Sequence, residues 1–232
     1  EDGIRDDLVT GVQTCALPIL FFYSNIIGLN PGLAGTAIFI ALCVDAFTDP
    51  LMGTISDRTN TSFGRRHPYM FISFIPMSLG YIFLFAPRQD WDMSQSDLFV
   101  WMTIFTILTR IGMTLFDIPH RAFGGEITKN YNERTLLMSW REMFAWVAGL
   151  SNAFLGYGVF FASTPEFPQG QLNPDAWFPF ALTGALIMIV SVLYSSLSTK
   201  NEINLLSKWS GSIALGAILK ELKIALGNKS FR

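Results

Sequence analysis

Leu42-Cys-Val-Asp-Ala-Phe-Thr-Asp-Pro-Leu-Met-Gly-Thr-Ile-Ser-Asp57 sits inside an apolar segment that runs from about Pro31 to Ser56. That segment is long enough to cross a bilayer as a helix. Two carboxylates, Asp45 and Asp49, interrupt it four residues apart, on one helical face. A charge at membrane depth costs at least about 2.5 kcal/mol, so two on one helix need a purpose. The usual purpose is an ion or proton path in the interior of a helical bundle. Oxygen ligands suit a hard cation such as sodium, and two close acids can also share a proton. The competing reading is a structural pair neutralised by Arg110 or Arg141 from a neighbouring helix. Pro50 removes a backbone donor beside Asp49, and Gly53 lets a neighbouring helix come close.

The rest of the composition agrees with a membrane protein. The chain is 50% hydrophobic and 15% charged, too apolar for an ordinary soluble domain of this length. A net charge of −2 leaves no basic surplus for nucleic acid. Cys15 and Cys43 make no disulfide framework, and with His67 and His120 they make no zinc set. Aromatic residues at 14% suit interfacial belts facing lipid. No nucleophile–base or metal constellation is present, so an enzyme is not expected, and neither is a cofactor.

Residues 1–19 are unlike the spans that follow. Val9-Thr-Gly-Val-Gln-Thr-Cys-Ala-Leu-Pro-Ile19 is what a common sequencing-library adapter gives when translated, and Glu1-Asp-Gly-Ile-Arg-Asp6 matches its other arm. We set residues 1–19 aside as a non-native segment. Leu20–Leu29 then reads as the end of a truncated first helix, and Asn30-Pro-Gly32 as a turn that opens the second. Further spans are expected over Pro31–Ser56, Pro68–Ala86, Leu98–Phe123, Leu136–Phe161 and Trp177–Leu197. Polar loops are expected over Asp57–His67, Pro87–Asp97, Glu126–Arg134 and Ser163–Asp175. The fold class is thus all-α and polytopic, with a six-helix bundle over residues 20–197 and a cytoplasmic linker over 198–232. An amphipathic helix around Ile213–Lys223 is expected within that linker.

Lys and Arg set the orientation. One set of connections holds Arg58, Arg65, Arg66, Lys129, Arg134 and Lys200, and the other holds only Arg88. The basic set belongs in the cytoplasm, which puts the N-terminus there too.

Asp117 is a third intramembrane acid, with Thr114 one turn before it. A hydroxyl and a carboxylate there can complete an oxygen-lined site. Arg110 lies seven residues before Asp117, on the same face, so the two could instead form a buried ion pair. His120 and Arg121 either hydrogen-bond a polar solute or reach the interface by snorkelling. Arg141, near the start of the fifth span, either contacts the solute or anchors the cytoplasmic end. Trp146, Asn152 and Tyr157 read as packing rather than as a sugar platform. Asp57-Arg58 followed by Arg65-Arg66 reads as a charge clamp between helices that changes during gating, or else as a solvated loop that sets orientation.

The strings Asp45-Ala-Phe-Thr-Asp-Pro-Leu-Met-Gly53, Ser56-Asp-Arg58, Gly64-Arg-Arg-His-Pro68, Asp117-Ile-Pro119, Glu126-Ile-Thr128 and Tyr131-Asn-Glu-Arg-Thr135 resemble one family. It is the glycoside–pentoside–hexuronide:cation symporter family of melibiose permease, in the major facilitator superfamily. The resemblance covers residues 20–232 in order. It implies twelve helices in two halves, with the site between them and alternating access by rocking. It also implies that Asp45, Asp49, Asp117 and Thr114 serve the coupling cation, sodium or proton, and that Asp117 also serves the sugar. Arg141 falls near a sugar-contacting arginine of the family. There are departures. The family's first-helix acid would fall within residues 1–19, melibiose permease has an aromatic where Arg121 stands here, and the C-terminal half is absent.

The expectation is therefore the N-terminal half of a multi-pass sugar symporter of the cell inner or plasma membrane, monomeric when complete. Its cation site would be Asp45, Asp49, Asp117 and Thr114, with no other metal. Its sugar site would be Asp117, Arg141, Arg121 and His120. Its gate would be Asp57, Arg58, Arg65 and Arg66. The alternatives are a facilitator-type exporter of another small solute and a half-size protein that does not transport.

Overall fold

The computed structural model describes residues 16–128 and 130–200. Six helices follow one another: α1 (Ala16–Ile27), α2 (Pro31–Arg58), α3 (His67–Leu84), α4 (Gln95–Ile127), α5 (Tyr131–Phe160) and α6 (Pro174–Ser198). No strand occurs among the described residues. The five helices α2–α6 are each long and apolar enough to cross a membrane. The chain is an all-α polytopic membrane protein, as its sequence indicated. Of the segment set aside as non-native, residues 16–19 form the start of α1, and residues 1–15 lie outside the described residues. So do residues 201–232, which hold the amphipathic helix expected in the linker.

Short polar caps set where the helices begin. Asn30 accepts from the Gly32 backbone N–H at 2.8 Å with Pro31 in the first turn, and Asn173 accepts from Asp175 at 3.1 Å with Pro174 behind it. Ser94 and Asp97 cap each other's backbone at the start of α4. Asn130 accepts from Asn132 at 3.0 Å to open α5. These caps start α4, α5 and α6 earlier than hydropathy places them. The polar loop expected over Glu126–Arg134 is corrected accordingly: Glu126 belongs to α4, Tyr131–Arg134 belong to α5, and Thr128 and Asn130 lie outside both helices. Arg134 reaches back and donates to the Gly125 carbonyl at 2.6 Å, satisfying an acceptor at the end of α4.

α3 is broken in its first half. The helix runs His67–Ile72, pauses at Ser73 and resumes over Phe74–Leu84. The cause is Pro76, which has no N–H for the Ile72 carbonyl and whose ring crowds that same group. Pro50 and Pro119, by contrast, sit inside continuous helices.

The two ends of the bundle are held differently. At one end, the α1–α2, α3–α4 and α5–α6 connections gather an aromatic core. Phe22, Phe85, Phe161, Trp177 and Phe180 pack there, with Phe85 stacked on Trp177 at 5.7 Å and Phe161 tilted against Trp177 at 4.7 Å. Tyr23 is fully buried and donates to the Leu84 carbonyl at 2.8 Å. Gln95 ties the α1–α2 turn to α4 by accepting from Asn30 N–H and donating to the Gly28 carbonyl, both at 2.9 Å. Mid-bundle, α3 and α4 lie backbone to backbone. A Cβ added at Gly80 would come within 2.5 Å of Thr109, and one at Gly112 would collide with the Met77 backbone. The other end is charged. α5 stands apart from this core, with no buried residue in Tyr131–Leu155.

Candidate functional site

α2 and α4 run in the same direction, and three rungs join them. Asp45 meets Arg110, Asp49 meets Thr114, and Gly53 faces Ile118. Each rung keeps the same offset of 65 residues. Residues four apart on one helix are stacked against residues four apart on the other, as parallel helices in close contact require. At the third rung a Cβ added at Gly53 would meet the Ile118 side chain at 3.7 Å, an ordinary van der Waals contact.

The rungs differ in charge. The Arg110 guanidinium donates to Asp45 Oδ2, and both side chains are mostly buried. Asp45 Oδ1 is buried and has no hydrogen-bond partner among the described residues. Asp49 Oδ1 accepts from Thr114 Oγ1 at 2.7 Å. Asp49 has no basic partner among the described residues. Of the two cations offered for this pair by the sequence, Arg110 reaches it and Arg141 does not. The alternative pairing of Arg110 with Asp117 on one face of α4 is not formed.

Asp117 turns toward α5 instead. Arg121, one turn on, donates from Nε to Asp117 Oδ2 at 2.6 Å, and Arg141 of α5 approaches Oδ1 at 3.4 Å. Because α5 starts at Tyr131, Arg141 lies nearly three turns inside the helix. That corrects its reading as a residue near the helix start. His120 stacks flat on Phe116 at 5.0 Å between centroids. The sequence-read set thus divides into Asp45, Asp49 and Thr114 between α2 and α4, and Asp117, Arg121 and Arg141 between α4 and α5. Trp146 and Asn152 are exposed, and Tyr157 accepts from Gln171 at the aromatic end.

At the charged end, Asp57, Arg65 and Arg66 come together around an acid that the sequence had left in a loop. Arg66 is 3% exposed and donates to Asp57 at 2.5 Å. Arg66 also lies 3.0 Å from Glu126, which accepts from Arg65 at 2.5 Å. Arg58 closes α2 beside this cluster in sequence. His67 then links α3 to the end of α6 through its Nε2 and Thr199 Oγ1 at 3.1 Å. The signal for Glu126 was a lone acid two spans on from the paired-arginine loop, and so back at the same end of the bundle. It was hidden by ending α4 at Phe123.

The description MFS/sugar transport protein matches residues 9–232. An uncharacterized symporter of Synechocystis sp. is 32% identical over 190 residues, covering 79% of this chain and 33% of that protein. An Escherichia coli protein named as a glycoside/cation symporter, YagG, is 28% identical over 220 residues, 95% of this chain and 45% of its own length. The isoprimeverose transporter of Lactiplantibacillus pentosus is 26% identical over 206 residues, 88% of this chain and 41% of its own. The chain spans between a third and a half of the length of these relatives. With its helices, its parallel α2–α4 ladder and this match over nearly its whole length, the chain belongs to the MFS/sugar transport protein family, among relatives of the glycoside–pentoside–hexuronide:cation symporter type.

Proposed function

We propose that this chain forms the N-terminal half of a cation-coupled sugar symporter. The observation that carries the reading is the state of Asp49. Among the described residues, Asp45 has Arg110 and Asp117 has two arginines, but Asp49 has only the Thr114 hydroxyl. A carboxylate in a membrane span with no basic partner calls for a mobile cation. The Asp49 carboxylate, the Thr114 hydroxyl and the orphan Asp45 Oδ1 supply hard oxygen ligands for sodium, or a place for a proton. Asp117 joins the same path from the α5 side and, with Arg121, Arg141 and His120, meets the sugar. Neutralising the acids with the cation lowers the cost of closing the site around the solute.

The cluster of Asp57, Arg65, Arg66 and Glu126, with Arg58 next to it, is the gate. Its ion pairs tie α2, α3 and α4 at the basic end, and they must rearrange when that end opens. The concentration of Arg and Lys there supports a cytoplasmic placement in the cell inner or plasma membrane. The transporting unit is a monomer with a second half like this one. In the full-length protein, Asp49→Asn abolishes sodium- or proton-driven sugar uptake while the protein still reaches the membrane. Uptake with unchanged cation dependence would overturn the assignment, and comparing the two gradients identifies the coupled ion.

A further inference from the structure

We infer that the end of α6 is strapped to the gate, so that the chain leading on from Thr199 and Lys200 is a lever on Arg65 and Arg66. The inference rests on the reading above that Asp57, Arg65, Arg66 and Glu126 form the gate. Two contacts of different chemistry make the strap. His67 Nε2 and Thr199 Oγ1 meet at 3.1 Å. The Thr199 hydroxyl donates its one proton to the Ser195 carbonyl at 2.7 Å. Towards His67 it therefore accepts, and Nε2 is the donor. Lys200 Nζ lies 5.2 Å from the centre of the Phe63 ring, within the range of a cation–π contact.

The two contacts bracket the arginines. Phe63 and His67 are four residues apart, with Gly64, Arg65 and Arg66 between them. The stretch is short and shaped: Gly64 takes a left-handed φ of 78°, and its N–H donates to the Thr61 carbonyl at 3.0 Å. The His67 ring is buried, edge-on to Phe123 of α4 at 5.0 Å between centroids. It is thus held between α4 and α6, while the residue before it, Arg66, is held by Asp57 of α2 and Glu126 of α4. A backbone movement that draws Arg65 and Arg66 off Glu126 carries Phe63 and His67 along and breaks both contacts. Conversely, a pull on Lys200 reaches the arginines through them. His67 is then a positioning residue that acts through Arg66. In the proposed transporter the chain runs on from Lys200 toward the second half, so motion there has a direct path to the gate.

The test is limited trypsin digestion of the full-length transporter that carries these residues, in detergent micelles where both ends of the bundle are open to the protease. Cleavage after Arg65 and Arg66 is followed by fragment mass, and its rate tracks how often the α2–α3 connection opens. Cleavage after the exposed Arg88, in the α3–α4 connection at the opposite end, reports general loosening. Thr199→Val removes the acceptor from a position 132 residues away from His67, so the bonds cut keep their own sequence. It is expected to speed cleavage after Arg65 and Arg66 about fivefold, the effect of one lost hydrogen bond, with no change at Arg88. Thr199→Ser keeps the hydroxyl and should cut at the parent rate. Lys200→Gln, at an exposed side chain, should speed the same cuts about two- to fivefold. Glu126→Gln opens the connection from the other side and is the reference. If it speeds these cuts and neither Thr199→Val nor Lys200→Gln does, the strap is overturned and the gate cluster stands. Equal acceleration at Arg88, or a Thr199→Ser variant as fast as Thr199→Val, also overturns the strap. If Glu126→Gln changes nothing, the gate reading falls with it.

Discussion

Arg110→Gln tests the α2–α4 ladder most directly. The Asp45 and Arg110 side chains are only 17% and 20% exposed, so the pair is little screened by solvent. Unit charges about 4 Å apart attract by roughly 4 kcal/mol at an effective dielectric of about 20. Removing one partner of a buried pair costs about 3–5 kcal/mol, because the other is left charged and alone. Asp45 is especially exposed to this penalty, since its Oδ1 already lacks a partner. Glutamine keeps one donor for Oδ2, which places Arg110→Gln at about 3 kcal/mol. Asp45→Asn in the same protein removes the orphaned charge and should recover about half of that loss. The coupling energy between the two sites should therefore be at least about 1.5 kcal/mol. The assay is a double-mutant cycle in mixed micelles, with unfolding by SDS followed by circular dichroism. A coupling below about 0.5 kcal/mol, within ordinary additivity, would refute the ladder as drawn.

Two further perturbations probe the scaffold. Gly112→Val drives a side chain into the Met77 backbone and should cost at least about 3 kcal/mol or prevent folding, whereas Gly35→Ala, with open space around it, should stay within about 0.5 kcal/mol of the parent. Similar losses from both, in the same SDS titration, would contradict the close α3–α4 approach. Glu126→Gln removes the carboxylate held by Arg65 and Arg66. It should raise the rate of tryptic cleavage at these arginines several-fold, and an unchanged rate would mean that Glu126 does not hold the α2–α3 connection.

The spans were legible because long apolar runs between polar connections have few other solutions. Asp45 and Asp49 were legible as one face, and Thr114 as a hydroxyl near the acids, because helical spacing alone fixes both. Spacing along one helix could not choose partners across helices. Arg110 and Asp117 share a face of α4 by periodicity, yet Arg110 is four residues N-terminal to Thr114, the rung partner of the next acid, and finds Asp45. The choice is made by the register of α2 against α4, which rests on packing that a single span does not reveal. The break in α3 was legible in principle, since Pro76 names the carbonyl it disrupts. Its effect was masked by the even hydropathy of Phe74–Leu84. Glu126 and the first five residues of α5 were missed for one reason: hydropathy marks the membrane-soluble part of a helix, while caps mark where the helix begins and ends.

The least buried helix carries one of the two arginines on Asp117. α5 joins the rest through its final turns, where Phe161 packs on Trp177 and Phe180, and near its start, where Leu137 lies against Gly124. Between these points it contributes no buried side chain. Arg121 is on the same helix as Asp117, so their 2.6 Å contact survives any rigid movement of α4. The Arg141 contact at 3.4 Å does not. A small shift of α5 therefore changes the charge around Asp117 without disturbing the aromatic core, the α3–α4 contact or the α2–α4 ladder. Asp45 and Asp49 are tied to α4 by fixed rungs, and Asp117 is tied to α5 by a long one. In this arrangement Asp45 and Asp49 lie on the rigid part and Asp117 on the adjustable part, so under the proposed symport Asp117 is the residue through which cation and solute would be coupled.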